Sequence, residues 1–338
     1  MGDNRYLYPV SRTKALELKL LDKAVIERLV SCQTGDEAIK ILGETAYSAF
    51  LSTLSTSLDV EALINEMMRE TKAYLTEIAP DTEVISFLYH SEDILNLKRI
   101  IKAFYMKTQF GSGEPEPLSD LGCLPGDQMK NAIVEGDYRL FPSFWIPVVQ
   151  ALYEESLKEG FSPARIDRSL DRLLLEDLHQ CAISCKSNYM ISLVQIQSDL
   201  TNLKTLFRLK QLKVDSSVFE REVLPHGLIE SGFLKAAMDE PLNQLPEKLI
   251  RFGYDGFIRK VLEVPDQVSQ LTRLEKLAHQ FYFNQVKQAK YIAFGVEPLV
   301  GYGIAKASEA KWLRLILMGI INDFPENWIR ERLGEVYG

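Results

Sequence analysis

Nowhere does the chain carry the roughly 18 consecutive apolar residues that a bilayer-spanning helix requires. Its opening residues, Met1 to Tyr6, lack the apolar core of a secretory signal. A cytoplasmic location is expected. Gly2 follows Met1, but Tyr6 stands where a myristoylation signal needs serine or threonine, which argues against that lipid anchor. Cysteine is scarce, with four in 338 residues (Cys32, Cys123, Cys181 and Cys185), so no disulfide framework is built and reduced thiols are expected. Histidine is as rare. His90, His179, His226 and His279 form no His-Glu-x-x-His and no Cys-His set at metal spacing, which leaves no recognisable metal site. Cys181 and Cys185 share a helix face at i, i+4, with only His179 near by, and read as a packed apolar pair.

Phosphate cradles are missing too. Gly111-Ser-Gly113 and Gly301-Tyr-Gly303 lack the third glycine, and the lysine with a hydroxyl residue, of a Walker loop. Acid runs such as Glu154-Glu155 read as a solvated face and nominate no general acid. No catalytic residue, cofactor or metal is therefore expected. Excess positive charge is absent as well: 39 basic residues against 47 acidic ones give −8, which excludes a general attraction to nucleic acid or anionic lipid. The best basic cluster, Lys98-Arg99 to Lys107 with Phe104 and Tyr105, is too isolated to reverse that reading.

What the chain does have is repetition. Asp93-Ile-Leu-Asn96-Leu97-Lys98 matches Asp199-Leu-Thr-Asn202-Leu203-Lys204, and both match Glu309-Ala-Lys-Trp312-Leu313-Arg314. The segments recur at intervals of 106 and then 110 positions, so three copies fill the chain. That interval disfavours a short-period helical solenoid. Before each segment runs an amphipathic stretch, starting near Asp59, Pro163 and Gln267. Val60, Leu63, Met67, Tyr74 and Ile78 line one helix face in the first copy, as Ile166, Leu170, Leu173, Leu174, Cys181 and Cys185 do in the second. Leu271, Leu274, Ala278 and Phe281 do so in the third. Ser162 with Pro163 gives the second stretch a start signal.

Strand-like alternation is rare, and an all-α class follows. Shorter helices are expected at the head of each copy: at 24–30 and 37–42, at 129–134, and at 233–237 with 247–252. Thr108 to Gln128, holding Gly111-Ser-Gly113-Glu-Pro115-Glu-Pro117, is a linker, and Lys213 to Arg221 is a second polar break. Leu124-Pro125-Gly126 is echoed by Leu224-Pro225-His226-Gly227. The expected domains are residues 1–110, 111–215 and 216–338.

Two roles suit the repeated acid, Asn, Leu and base: a thrice-presented patch for a partner, or a packing signature. Asn96 and Asn202 share a helix face with the acid three residues earlier, which favours packing. Trp312 replaces this asparagine in the third copy, so no common binding chemistry is expected. Asp93, Asn96, Leu97, Lys98, Asp199, Asn202, Leu203, Lys204, Glu309, Leu313 and Arg314 are thus taken as structural signature residues. Phe141, Phe144 and Trp145, in a stretch interrupted by Pro142 and Pro147, are candidate interface residues, with core burial the competing reading.

Phe294-Gly295-Val296-Glu297-Pro298-Leu299, Tyr302, Ala305-Lys306, Glu309, Leu313-Arg314 and Ile316 resemble the C-terminal signature of the C subunits of V-type (A-type) ATP synthases. The eukaryotic counterpart is the d subunit of the V-ATPase. Asn322-Asp323-Phe324-Pro325-Glu326 with Ile329 to Leu333 fits as well. The resemblance implies three similar helical domains in a funnel-like arrangement of pseudo-threefold character. It also implies a non-catalytic coupling protein that joins central shaft subunits to the membrane rotor ring and transmits torque for ion transport. Its membrane association would be indirect, through the ring, with no nucleic acid partner. A generic helical scaffold or adaptor with other protein partners is the alternative.

Overall fold

The computed structural model describes residues 4–51, 59–334 and 337. Among these, all regular structure is helical and no strand occurs. Two compact units divide the chain. Residues 85–242 form unit 2, and unit 1 is discontinuous, drawn from 1–84 and 243–338.

Unit 1 begins with α1 (Leu7–Glu17), α2 (Lys23–Val30), α3 (Gly35–Gly43), α4 (Ser48–Leu51) and α5 (Val60–Ile78). Side-chain oxygens cap most of these starts: Asp22 accepts from the Val25 N–H, Thr34 from Glu37 and Asp59 from Ala62. Glu37 also accepts from the Gln33 N–H at 2.8 Å, so acid and hydroxyl together satisfy the first turn of α3. Of the stripe expected on α5, Val60, Leu63, Met67 and Ile78 are buried and Tyr74 is half-buried.

Unit 2 takes up most of α6 (Thr82–Phe110), followed by α7 (Gly126–Glu135), α8 (Ile146–Ser156), α9 (Ala164–Ser184), α10 (Asn188–Gln211), α11 (Ser216–Glu222) and α12 (Ser231–Met238). Its core gathers Ile94, Leu97 and Ile101 of α6, Met129 of α7, Val149 of α8, and Ile166 and Leu170 of α9 around the fully buried Trp145. Two local expectations differ. Ser162 does not cap α9: the N-cap position falls on Pro163, which has no side-chain oxygen to offer, and its fixed φ alone suits the start of the helix. The polar break Lys213 to Arg221 contains a helix, α11, because Asp215 caps it through the Ser217 N–H at 2.8 Å and Phe219 anchors it, fully buried.

The chain then returns to unit 1 with α13 (Leu245–Leu249), α14 (Asp255–Leu262), α15 (Gln267–Val286), α16 (Glu297–Ile321) and α17 (Glu326–Arg332). Helix α16 is apolar on most sides because it is packed on most sides, chiefly against α5 and also against α1 and α3. The three long stretches expected near Asp59, Pro163 and Gln267 are α5, α9 and α15.

Candidate functional site

The repeated acid is buried in every copy and grips backbone at the head of another: the first copy's acid holds the second, the second's holds the third, and the third's holds the first. Asp93, fully buried on α6, accepts from the Cys123 and Leu124 N–H groups, both at 2.9 Å. Asp199 on α10 does the same with Leu228 and Ile229, at 3.0 Å each. Glu309 on α16 accepts from Leu21 at 2.5 Å, and from the Tyr47 hydroxyl and the Lys306 ammonium at 2.6 Å each. Leu124, Ile229 and Leu21 each directly precede the N-cap residue of a helix (Pro125 of α7, Glu230 of α12 and Asp22 of α2). One geometry therefore recurs three times. A buried carboxylate is costly unless its oxygens are satisfied, and these are satisfied by amides just ahead of a helix, joined at Glu309 by a hydroxyl and an ammonium.

The correspondence also corrects a register. Leu224-Pro225-His226-Gly227 resembles Leu124-Pro125-Gly126 in letters, but Ile229 holds the position of Leu124. Leu224 instead matches Ser119. Asn96 donates to the Ser119 carbonyl and accepts from its N–H, both at 2.8 Å. Asn202 pairs with Leu224 in the same two-way manner, at 3.0 and 2.7 Å. Each asparagine thus acts as a strand-like partner to an otherwise unpaired loop residue. Trp312 offers no such pairing. It is buried edge-on against His279 at 4.9 Å, and its indole nitrogen has no hydrogen-bond partner among the described residues.

The signature bases point the same way. Lys98 reaches Asp171 of α9 at 2.6 Å, and Arg314 makes a two-pronged pair with Glu61 of α5 at 2.7 and 2.9 Å. Lys204 is half-buried on α10. Leu97, Leu203 and Leu313 are fully buried.

A basic partner that segment alignment alone overlooks lies three residues before the acid. Lys306 faces Glu309, and His90 lies near Asp93, with ligand-type atoms of His90, Asp93 and Cys123 within 4.8 Å of one another. Ile196 takes this place in the second copy. The visible signal was the shared i, i+3 spacing of His90-x-x-Asp93 and Lys306-x-x-Glu309. His90 Nδ1 also meets Asp177 at 2.5 Å, and the other Asp177 oxygen accepts from the Trp145 indole at 3.0 Å. His90, Asp177 and Cys181 likewise bring donor atoms within 4.8 Å. The carboxylates here are already engaged by indole, imidazole and backbone, so the cluster is a satisfied, largely buried polar network.

Burial alone would lower the His90 pKa, but hydrogen bonds to Asp177 and Cys123 outweigh it and push it up to about 10 from 6.5. The imidazolium therefore contributes stability fully below pH 6.5, and that contribution is lost as the pH rises through 10. Urea midpoints measured from pH 6 to 10 should fall over this window, and His90→Ala should lower the starting value and flatten the difference curve. A parallel pH response in both proteins would refute the assignment.

Of the candidate interface residues, Phe141 and Trp145 lie in the unit 2 core. Trp145 goes inside because its indole N–H finds Asp177 there. Phe144 is 39% exposed and lines a groove of about 910 Å³. Cys181 is buried, as expected of a packed thiol, and Cys185 is half-buried.

With this geometry in view, the comparisons with known proteins agree in one direction. Residues 9–332 match the family described as ATP synthase (C/AC39) subunit. The C subunit of the A-type ATP synthase of Methanosarcina mazei is 25% identical, covering 98% of this chain and 93% of the relative. That of Thermococcus onnurineus is 23% identical, covering 98% and 90%. The C subunit of the V-type sodium ATPase of Enterococcus hirae is 24% identical, covering 95% of both.

Proposed function

We propose, from the premise that this chain belongs to the ATP synthase (C/AC39) subunit family, that it is the non-catalytic coupling component of a rotary V-type or A-type ATPase. In this role it joins central shaft subunits to the membrane rotor ring and passes torque between them. Its attachment to the membrane is peripheral and runs through the ring. None of its described helices is long and apolar enough to cross a bilayer, which agrees with that mode of attachment.

The observation that carries the reading is the length of the match, which spans nearly the whole chain and nearly the whole of each relative. The buried carboxylates support it physically. A part that transmits torque has to resist local opening, and each acid pins a loop that would otherwise fray from the helix it precedes. The reading also takes the chain as three copies with limits at 110 and 215, the signature of the first holding the head of the second, that of the second the head of the third, and that of the third the head of the first.

Reconstitution of the full chain with purified shaft subunits and isolated rotor ring tests the role. Simultaneous binding of both is expected, with ATP-driven ion pumping lost when the chain is omitted. Failure to bind either one, under conditions where the remaining complex assembles, would sink it.

A further inference from the structure

One side of helix α9 lines a groove on unit 2. Arg165, Arg168, Ser169, Arg172, Leu173 and Glu176 follow one another at three- and one-residue steps along this groove of about 910 Å³, which Phe144, Val148 and Arg221 also line. A stripe at this spacing extends roughly 17 Å along a helix axis at 1.5 Å per residue. That length seats about three turns of one more helix.

The charges along it are uneven. Arg165 is paired with Glu155 at 2.8 Å and Arg168 with Glu222 at 2.5 Å, both within unit 2. Glu176 is engaged by His226 at 2.6 Å. Arg172 spends its guanidinium on the Val223 carbonyl at 2.7 Å and meets no carboxylate among the described residues. Arg221, exposed on α11, has no side-chain partner among them. A chain of net charge −8 thus leaves two neighbouring arginines, Arg172 and Arg221, without counterions in a groove that Phe144, Val148 and the buried Leu173 also line. Exposed aromatic and arginine side chains around a common hollow are the composition of a protein-binding hot spot.

We infer that this groove seats an amphipathic helix of a central shaft subunit, its apolar side on Phe144, Val148 and Leu173 and its carboxylates on Arg172 and Arg221. The inference rests on the coupling role proposed above. Groove length selects a helix over the short loops of a ring, and the unpaired arginines select an acidic one.

The test uses the full chain, with purified shaft subunits, isolated rotor ring and vesicles containing anionic phospholipid as separate probes. Arg221→Glu is the primary variant, because its side chain holds nothing else in place; Phe144→Asp tests the apolar strip. Circular dichroism melting confirms that each is folded. Each variant should weaken shaft binding on the order of tenfold or more and leave ring binding unchanged. Arg221→Glu should also reduce the salt dependence of shaft binding. Folded variants that bind the shaft as the parent chain does would overturn the groove assignment while leaving the coupling role intact. Loss of ring or vesicle binding with shaft binding preserved would also overturn it, assigning the groove to another surface. A parent chain that binds no shaft at all would remove the coupling role and this inference together.

Discussion

Glu309→Ala is expected to cost unit 1 about 3–5 kcal/mol, the range for removing one partner of a buried ion pair. Glu309 and Lys306 are 6% and 8% exposed, and the carboxylate also serves the Leu21 amide and the Tyr47 hydroxyl. Alanine would strand an ammonium, an amide and a phenol in one place. Glu309→Gln separates the contributions. It keeps an acceptor for Leu21 and Tyr47 but leaves Lys306, which also lies 5.0 Å from the Tyr47 ring centroid, without a counterion. Adding Lys306→Met to Glu309→Gln should therefore recover part of the loss, since removing both charges is far milder than removing one. Denaturant midpoints of the four proteins measure this. A double variant less stable than Glu309→Gln would contradict the buried-pair account.

The second large effect concerns Asp199 and Gly227. Asp199→Ala leaves the Leu228 and Ile229 amides without an acceptor, at about 1–3 kcal/mol each. Gly227→Ala should be harmful for the converse reason. A methyl group there would overlap the Asp199 carboxylate, as one at Gly122 would overlap Asp93. A loss of about 2–4 kcal/mol is expected, within the range for overpacking plus a disturbed buried hydrogen bond. The two substitutions touch the same space, so their losses should not add. In the double variant the new methyl occupies room the carboxylate has left, and the combined loss should fall short of the sum by at least ~1 kcal/mol. Strict additivity in a double-mutant cycle would show that the acid does not hold this loop.

How much of this was readable beforehand depends on the range of the interaction. Helices α5, α9 and α15 were legible because their apolar spacing is local, and the three signature segments because letters recur. Helix α11 was hidden: its polar residues outweigh the single buried Phe219 that holds it. The partners of the acids were hidden for a different reason. Asp93, Asp199 and Glu309 bind backbone amides, and an amide has no letter of its own; only Gly122 and Gly227 mark the approach. Matching letters led instead to Leu224, five residues from the true equivalent of Leu124. Trp145 was ambiguous because an exposed anchor and a core residue look alike until Asp177, 32 positions away, supplies the partner for its indole.

The discontinuity of unit 1 bears on how the chain is made. Unit 2 is continuous in sequence, so its internal contacts are all available once residue 242 has emerged, before the last helices of unit 1 are made. Residues 1–84 have no such opportunity. Helix α5 lacks the helix it chiefly packs against until α16 has emerged, and the Leu21 amide waits 288 positions for Glu309. Residues made before unit 2 are thus completed after it, in a step dominated by distant contacts. Until then the face of α5 that α16 covers has nothing to pack against, and a chain cut short before α16 would carry that apolar face uncovered.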